Sequence, residues 1–229
     1  MKNRDQLYGL IICGGQSSRM ATDKCFLPYY QVPQYNYLAR ILTNTKQPIC
    51  QEVIISCNTS QIEKIDKSYE VIVDLPKYQK IGPMAALLST FNTYPDRDFL
   101  VIGCDYPFVN SKDIQTFLDT IKGDSIAAAF YNKEGFYEPL LAWYSRNSQK
   151  KLLEQFETGN YSLNHFLKQW EAEKYTPPDE KIMTSIDTPE EYQIALAFLS
   201  KNPKNNEYKY FDWEEINSKG LRNYIPGDR

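Results

Sequence analysis

The chain has 229 residues, of which 42% are hydrophobic, and its formal net charge is −3 with a pI near 5.4. That length fits one α/β domain with an appendage at most, and the slight acidity lacks the basic footprint of a nucleic-acid-binding protein. No apolar stretch approaches a membrane span, and the N-terminal apolar run is too short for a signal peptide. The cysteines are odd in number and form no Cys-x-x-Cys pair, which excludes a disulfide scaffold and favours a cytoplasmic protein: Cys13, Cys25, Cys50, Cys57 and Cys104.

The first predicted element is a buried parallel strand at residues 7–13, and a glycine-rich basic loop follows it. Gly14 and Gly15 can take backbone angles that other residues avoid, and they let a ligand approach the main chain. Arg19 and Lys24 bring two positive charges to the same loop. A strand that opens into such a loop is typical of polyphosphate binding. The loop is not a P-loop, because cysteine follows Lys24, and it lacks the third glycine of a dinucleotide fingerprint.

Apolar runs then alternate with segments of helical periodicity in the order β-α-β-β-α-β-α, which predicts a mostly parallel sheet with helices on both faces. The predicted strands of this half are residues 7–13, 51–57, 70–73 and 98–104, and the helices are 32–44, 82–91 and 111–121. Beyond it we predict an antiparallel pair of strands at residues 125–131 and 137–144, followed by helices at 145–158 and 162–170. A last strand at residues 181–186 and a helix at 187–199 complete the prediction. Residues 1–200 are thus the predicted domain, and residues 201–229 a tail packed on that domain or on a partner subunit.

Polar residues directly follow several predicted strands. Asn58, Asp74 and Asp105 each occupy such a position, as Gly14 does. In parallel sheets ligands bind beyond the carboxyl ends of the strands, so we expect these residues along one edge. A carboxylate directly after a buried strand, such as Asp105, is well placed to hold Mg²⁺ there. The sole histidine, His165, is far from these motifs and is predicted to be a half-buried packing residue.

Residues 14–24 read Gly-Gly-x-Ser-Ser-Arg-Met-x-x-Asp-Lys and closely resemble the signature of nucleotidyltransferases, in particular the molybdenum cofactor guanylyltransferases (MobA type). Cys-Asp-Tyr-Pro-Phe at 104–108 is similar to that family's Cys-Asp-Thr-Pro-Tyr, and Asp-Thr-Pro-Glu-Glu at 187–191 to its Asn-Thr-Pro-Glu-Glu. The resemblance extends over about residues 7–199. It implies a Rossmann-like three-layer sandwich of the nucleotide-diphospho-sugar-transferase type. Ala21 and Ala86 depart from the pattern, because the family has glycine at both positions.

The resemblance implies that the chain transfers GMP from GTP to the terminal phosphate of molybdenum cofactor (molybdopterin), releasing pyrophosphate and forming the guanine dinucleotide cofactor. It implies Mg²⁺ as cofactor, bound by Asp105 and by Asp187, although Asp187 is almost equally well explained as the N-cap of the last helix. The implied catalytic residues are Arg19, Lys24 and Asp105. The implied nucleotide-binding residues are Ile12, Cys13, Gly14, Gly15, Lys24, Asn58, Asp74 and Asp105. Glu138 opens the strand that faces the second substrate in this family.

Other readings of the same motifs stay open. A cytidylyltransferase or a sugar-phosphate nucleotidyltransferase would use a similar phosphate loop. A non-catalytic nucleotide-binding sensor is the alternative outside the enzymes, and the joint presence of Arg19, Lys24 and Asp105 argues against it. Molybdoenzymes or cofactor carriers are the candidate protein partners, and neither nucleic acid nor a membrane is expected.

Overall fold

A seven-stranded sheet forms the centre of the computed structural model, which describes residues 6–14, 22–43 and 48–201. Its order is β3-β2-β1-β4-β6-β5-β7. The strands are β1 Leu7–Ile12, β2 Glu52–Ser56, β3 Glu70–Ile72, β4 Asp98–Gly103, β5 Ala127–Tyr131, β6 Tyr137–Tyr144 and β7 Glu173–Tyr175. The helices are α1 Gln34–Thr43, α2 Pro83–Thr93, α3 Ser111–Thr120, α4 Ser148–Glu157, α5 Leu163–Gln169 and α6 Pro189–Lys201.

Two apolar cores cover the two faces of this sheet. Successive strand residues point to opposite faces, so Leu10 of β1 packs in one core and Ile11 in the other. Helices α1 and α3 contribute to the core around Ile11, whereas α2, α4 and α5 contribute to the core around Leu10. This arrangement confirms the predicted Rossmann-like three-layer sandwich with a mostly parallel sheet.

Strand β6 interrupts the parallel sheet. Strands β3, β2, β1 and β4 pair in parallel, but β6 runs antiparallel to both β4 and β5. The register pairs Ile102 of β4 with Leu141 of β6. Because the two strands run in opposite directions, the beginning of β6 lies beside the end of β4. The predicted antiparallel pairing of residues 125–131 with 137–144 is confirmed.

Several sequence predictions on the second half need correction. Residues 181–186 do not form a strand: Glu180–Met183 is a short 3₁₀ helix, and the strand that extends the sheet is β7, paired with β5. Helix α4 begins at Ser148 and not at residue 145. In the first half, α3 begins at Ser111 as predicted, and its N-cap is Asn110, whose side chain accepts a hydrogen bond from the Asp113 N–H.

His165 is exposed on α5 and not half-buried. Within the described ranges, no helix is both long and apolar enough to cross a membrane. The predicted tail lies outside the described residues, apart from Lys201 at the end of α6.

Candidate active site

The structure brings four of the predicted site residues to one edge of the sheet, which we call the carboxyl edge. Strands β3, β2, β1 and β4 are neighbours in that order, and a predicted site residue lies just after each of them. In the same order, these residues are Asp74, Asn58, Gly14 and Asp105. Because all four strands are parallel, their carboxyl ends lie on the same side of the molecule. The expectation that these strand ends converge is therefore met.

The end of β1 builds the floor of this edge. Ile12 and Cys13 are buried, and the Cys13 N–H donates to the Ser56 carbonyl oxygen at 2.8 Å. The Sγ atoms of Cys13 and Cys104 are 3.4 Å apart. Burial raises the pKa of both thiols, so they are neutral core groups.

Gly14 is exposed, and a Cβ built on it would lie within 4 Å of no atom of the described residues. Its φ lies outside the left-handed region, so a positive φ is not the reason for a glycine here. What Gly14 does provide is a main chain at the end of β1 that no other described residue crowds. The predicted site residues Gly15 and Arg19 lie outside the described residues.

Asp105 is a half-buried acid of the carboxyl edge. Its Oδ1 atom is inaccessible to solvent and accepts no hydrogen bond from the described residues. Burial raises the pKa of this carboxyl group, the Lys24 ammonium opposes that rise, and the negative charge of Asp187 adds to it. Gly103 leaves the space that the carboxylate occupies, because a Cβ on Gly103 would lie 2.5 Å from Asp105 Oδ1.

Lys24 and Asp187 form an ion pair close to Asp105. The side chains are 20% and 51% exposed, so solvent reaches both of them. Asp187 is not the N-cap of α6: Thr188 Oγ1 accepts from the Glu191 N–H at 3.2 Å, and the Glu191 carboxylate accepts from the Thr188 N–H at 3.0 Å. This reciprocal pair is a capping box, and it leaves the Asp187 carboxylate free of a capping role.

A small separate core holds the Lys24 segment against the segment before α6. Leu27 and Tyr29 pack there with Ile186 and Ala195, and the Ile186 N–H donates to the Asp105 carbonyl oxygen at 2.9 Å. Residues far apart in the chain are thereby fixed beside one another. This packing explains why Lys24, Asp105 and Asp187 meet.

Asn58 and Asp74 lie further along the same edge. Asn58 is exposed, and its Oδ1 atom accepts from the Ser60 hydroxyl at 2.6 Å. Asp74 is half-buried, and burial raises its pKa. Gly82 precedes α2 with φ 66° and ψ −150°, a conformation that is essentially restricted to glycine.

A polar network lies on the other side of Asp105, around Glu138, the residue that the resemblance placed at the start of the strand facing the second substrate. The Tyr106 hydroxyl donates to Glu138 Oε2 at 3.0 Å, and the Asn132 amide donates to Glu138 Oε1 at 3.3 Å. Burial raises the pKa of Glu138, against the effect of those two hydrogen bonds, and the nearby charge of Asp105 raises it further. The antiparallel course of β6 creates this neighbourhood, and the sequence did not predict the contacts of Glu138 with Tyr106 and Asn132.

The arrangement combines a cationic side chain, Lys24, with one buried acidic oxygen, Asp105 Oδ1, that accepts no hydrogen bond from the described residues. The described residues contain no cluster of three or more histidine, cysteine or acidic side chains able to hold a metal ion. Mg²⁺, however, is commonly bound by one or two carboxylates together with substrate phosphates. The unpartnered, buried Oδ1 atom of Asp105 fits a cation of that kind.

A glycine just after β1 and a carboxylate just after β4, both at the carboxyl edge of such a sheet, fit the class of nucleotidyltransferases. Residues 9–174 match the MobA-like NTP transferase domain. The chain belongs to that family, and its fold is nucleotide-diphospho-sugar-transferase-like.

Relatives with similar sequences come from several bacteria. A probable molybdenum cofactor guanylyltransferase of Trichormus variabilis is 26% identical over 211 residues, which cover 87% of this chain and 96% of the relative. A molybdenum cofactor biosynthesis bifunctional protein of Synechocystis is 26% identical over 81% of this chain, which spans 52% of that relative's length. The crystal structure of molybdopterin-guanine dinucleotide biosynthesis protein A from Archaeoglobus fulgidus matches with a TM-score of 0.68 at 18% identity, covering 85% of this chain and 99% of that one.

Proposed function

We propose that the chain transfers GMP from GTP to the terminal phosphate of molybdopterin, releasing pyrophosphate and forming the guanine dinucleotide cofactor. The observation that carries this proposal is the meeting of Lys24, Asp105 and Asp187 beside the open main chain at Gly14. The names of the guanylyltransferase relatives support the choice of donor and acceptor.

The nucleotide lies along the carboxyl edge, with its base and ribose towards Asn58 and Asp74 and its triphosphate towards Lys24. The Lys24 ammonium exchanges Asp187 for phosphate oxygens, and Arg19 provides the second positive charge. Main-chain groups from Ile12 to Gly15 line the phosphates, where open space allows close approach. The attacking phosphate of the acceptor is already an anion, so the reaction needs no general base.

Asp105 and Asp187 would hold the Mg²⁺ ion. When bound, Mg²⁺ neutralises charge on the phosphates and on the leaving pyrophosphate. The contribution of the protein is to hold donor and acceptor in line, which alone lowers the barrier substantially. We place this reaction in the cytoplasm, with molybdoenzymes or cofactor carriers as recipients of the product. Residues 1–200 form the transferase domain in this proposal, and residues 201–229 a tail packed on it or on a partner subunit.

The test is pyrophosphate release from GTP, CTP, ATP and UTP with Mg²⁺, in the presence and absence of molybdopterin. We expect release to require molybdopterin and to be fastest with GTP. Preference for CTP would replace the guanylyl assignment by the cytidylyl one, and use of a sugar phosphate in place of molybdopterin would replace the acceptor. Binding of nucleotide without any turnover would indicate a sensor.

A further inference from the structure

A second cleft adjoins the site on the side away from β1, β2 and β3. It has a volume of about 450 Å³, which lies within the usual range for small-molecule sites. Its walls are the β5–β6 turn, the beginning of β6 and the segment around the 3₁₀ helix Glu180–Met183. Its lining includes Glu138, whose pKa the charge of Asp105 raises, and reaches Thr184, three residues before Asp187.

The cleft is rich in hydrogen-bond acceptors. Four carboxylates line it, against two lysines: Glu134, Glu138, Asp179 and Glu180, with Lys133 and Lys181. One of those lysines is already engaged, since Lys133 Nζ lies 3.5 Å from Glu180 Oε2. A site of this composition suits a ligand that presents N–H donors along its edge, and it disfavours a bare anion.

Two acids of this cleft have both carboxylate oxygens engaged: Glu180, by the main-chain N–H and the ammonium of Lys133, and Glu138. Tyr106 and Asn132 each donate to one of its two oxygens, whereas Glu134 lies exposed on the turn. Continuing the register from the Ile102–Leu141 pair places Glu138 beside Asp105 across the two strands. Glu138 therefore stands between the proposed metal site and the second cleft.

We infer that Glu138 is a specificity-determining residue for the acceptor, and that its carboxylate accepts hydrogen bonds from the amino-pyrimidinone edge of a pterin. That edge presents a ring N–H beside an exocyclic amino group, and a carboxylate with both oxygens fixed matches it in a paired geometry. The inference rests on the proposed function, because it names how that reaction recognises its acceptor. The phosphate of the acceptor then points towards Asp105 and Lys24.

The test compares two small probes, pterin and lumazine, in equilibrium dialysis with the full chain. Lumazine carries an oxo group where pterin carries the amino group, so it offers the carboxylate an acceptor in place of a donor. We expect the wild type to bind pterin at least about tenfold more tightly than lumazine, since a hydrogen bond to a charged group has that weight. Glu138→Gln should lose most of this discrimination while its melting-point shift with GTP and Mg²⁺ stays that of the wild type.

Two further variants separate the possible explanations. Glu157→Gln removes an exposed charge at the end of α4, away from the cleft, and should leave both probes unaffected. Glu134→Gln should weaken pterin binding by less than Glu138→Gln does. Equal losses in the two cleft variants, or equal binding of pterin and lumazine by the wild type, would overturn the inference. Failure of the wild type to use GTP would instead count against the proposed function, because the dialysis contains no nucleotide.

Discussion

The carboxylate of Asp105 occupies space that exists because residue 103 has no side chain. A Cβ on Gly103 would lie 2.5 Å from Asp105 Oδ1 and 3.3 Å from the side chain of Leu140. The first contact is with a group that can rotate away, and the second is with a packed strand. An added methyl group would therefore displace the carboxylate first.

Gly103→Ala should lower the rate of GMP transfer by at least about tenfold, because a displacement of about 1 Å at a reacting centre has effects of that size or larger. Its melting point should fall only slightly, since the Asp105 side chain can yield. Gly123→Ala is the matched control, because a Cβ there meets nothing within 4 Å. Steady-state kinetics on both variants measures the effect, and equal rates would show that Gly103 does not position Asp105.

The burial of Asp105 also predicts how stability depends on pH. Burial raises its pKa in the folded protein, so the folded state binds this proton more tightly than the unfolded chain does. The contribution of protonated Asp105 to the free energy of unfolding is fully present below the pKa of aspartate in the unfolded chain, near 3.9. It is lost as the pH rises through the raised pKa of Asp105 in the folded protein. Ionised Asp105 therefore destabilises the ligand-free protein at pH 7.

Asp105→Asn should for that reason melt at a higher temperature than the wild type at pH 7 in EDTA, and the difference should shrink as the pH falls towards about 4. Scanning calorimetry across this pH range, without nucleotide, measures both quantities. A variant that melts lower than the wild type at pH 7 would show that Asp105 stabilises the empty fold. Asp105→Asn should nevertheless be inactive in GMP transfer, because a residue that serves function can reduce the stability of the fold.

At the scale of elements, the start of α6 distinguishes the two roles that the sequence suggested for Asp187, metal ligand and helix N-cap. Thr188 and Glu191 form the capping box, and Asp187 pairs with Lys24. Thr188→Ala should therefore cost about 0.5–2 kcal/mol of unfolding free energy with activity retained.

Asp187→Asn should have the opposite profile. Its ion pair is half-exposed and contributes little to stability, whereas loss of a carboxylate ligand should raise the Mg²⁺ concentration needed for half-maximal activity by about tenfold or more. Chemical denaturation and Mg²⁺ titration of both variants give the two readouts. An unchanged Mg²⁺ requirement in Asp187→Asn would remove Asp187 from the metal site.

Strands β1, β2 and β4 of the first half were predictable because their apolar runs have five or six residues, are largely buried and are bounded by turn residues. The run at residues 181–186 failed for a physical reason. Ile182 and Met183 are adjacent and both buried, as in a strand covered on both faces, so a short 3₁₀ turn and such a strand have the same apolar pattern. The Asp179 side chain caps that turn by accepting from the Lys181 N–H. The neighbouring edge position is taken by β7, which has only three residues and too little apolar pattern to be recognised.

Across the whole molecule, the alternation of strands and helices was sufficient to predict a parallel sheet and a single carboxyl edge. It could not predict that β6 would insert beside β4 in the opposite direction, because sequence order does not fix strand order. The proposed acceptor side of the site depends on that insertion, since it brings Glu138 next to Asp105. Arg19 and Gly15 lie outside the described residues, and their roles remain predictions from the motif.

The account depends most on one cleft in which a cation held by Asp105 and the Lys24 ammonium act on the same triphosphate. Transfer of label from α-phosphate-labelled GTP to molybdopterin tests it directly, with wild type, Asp105→Ala and Lys24→Ala compared at equal folded concentration. We predict that the wild type forms labelled dinucleotide, that Asp105→Ala is slower by at least about a hundredfold, and that Lys24→Ala binds GTP more weakly. An Asp105→Ala variant that transfers label at close to the wild-type rate would contradict the account.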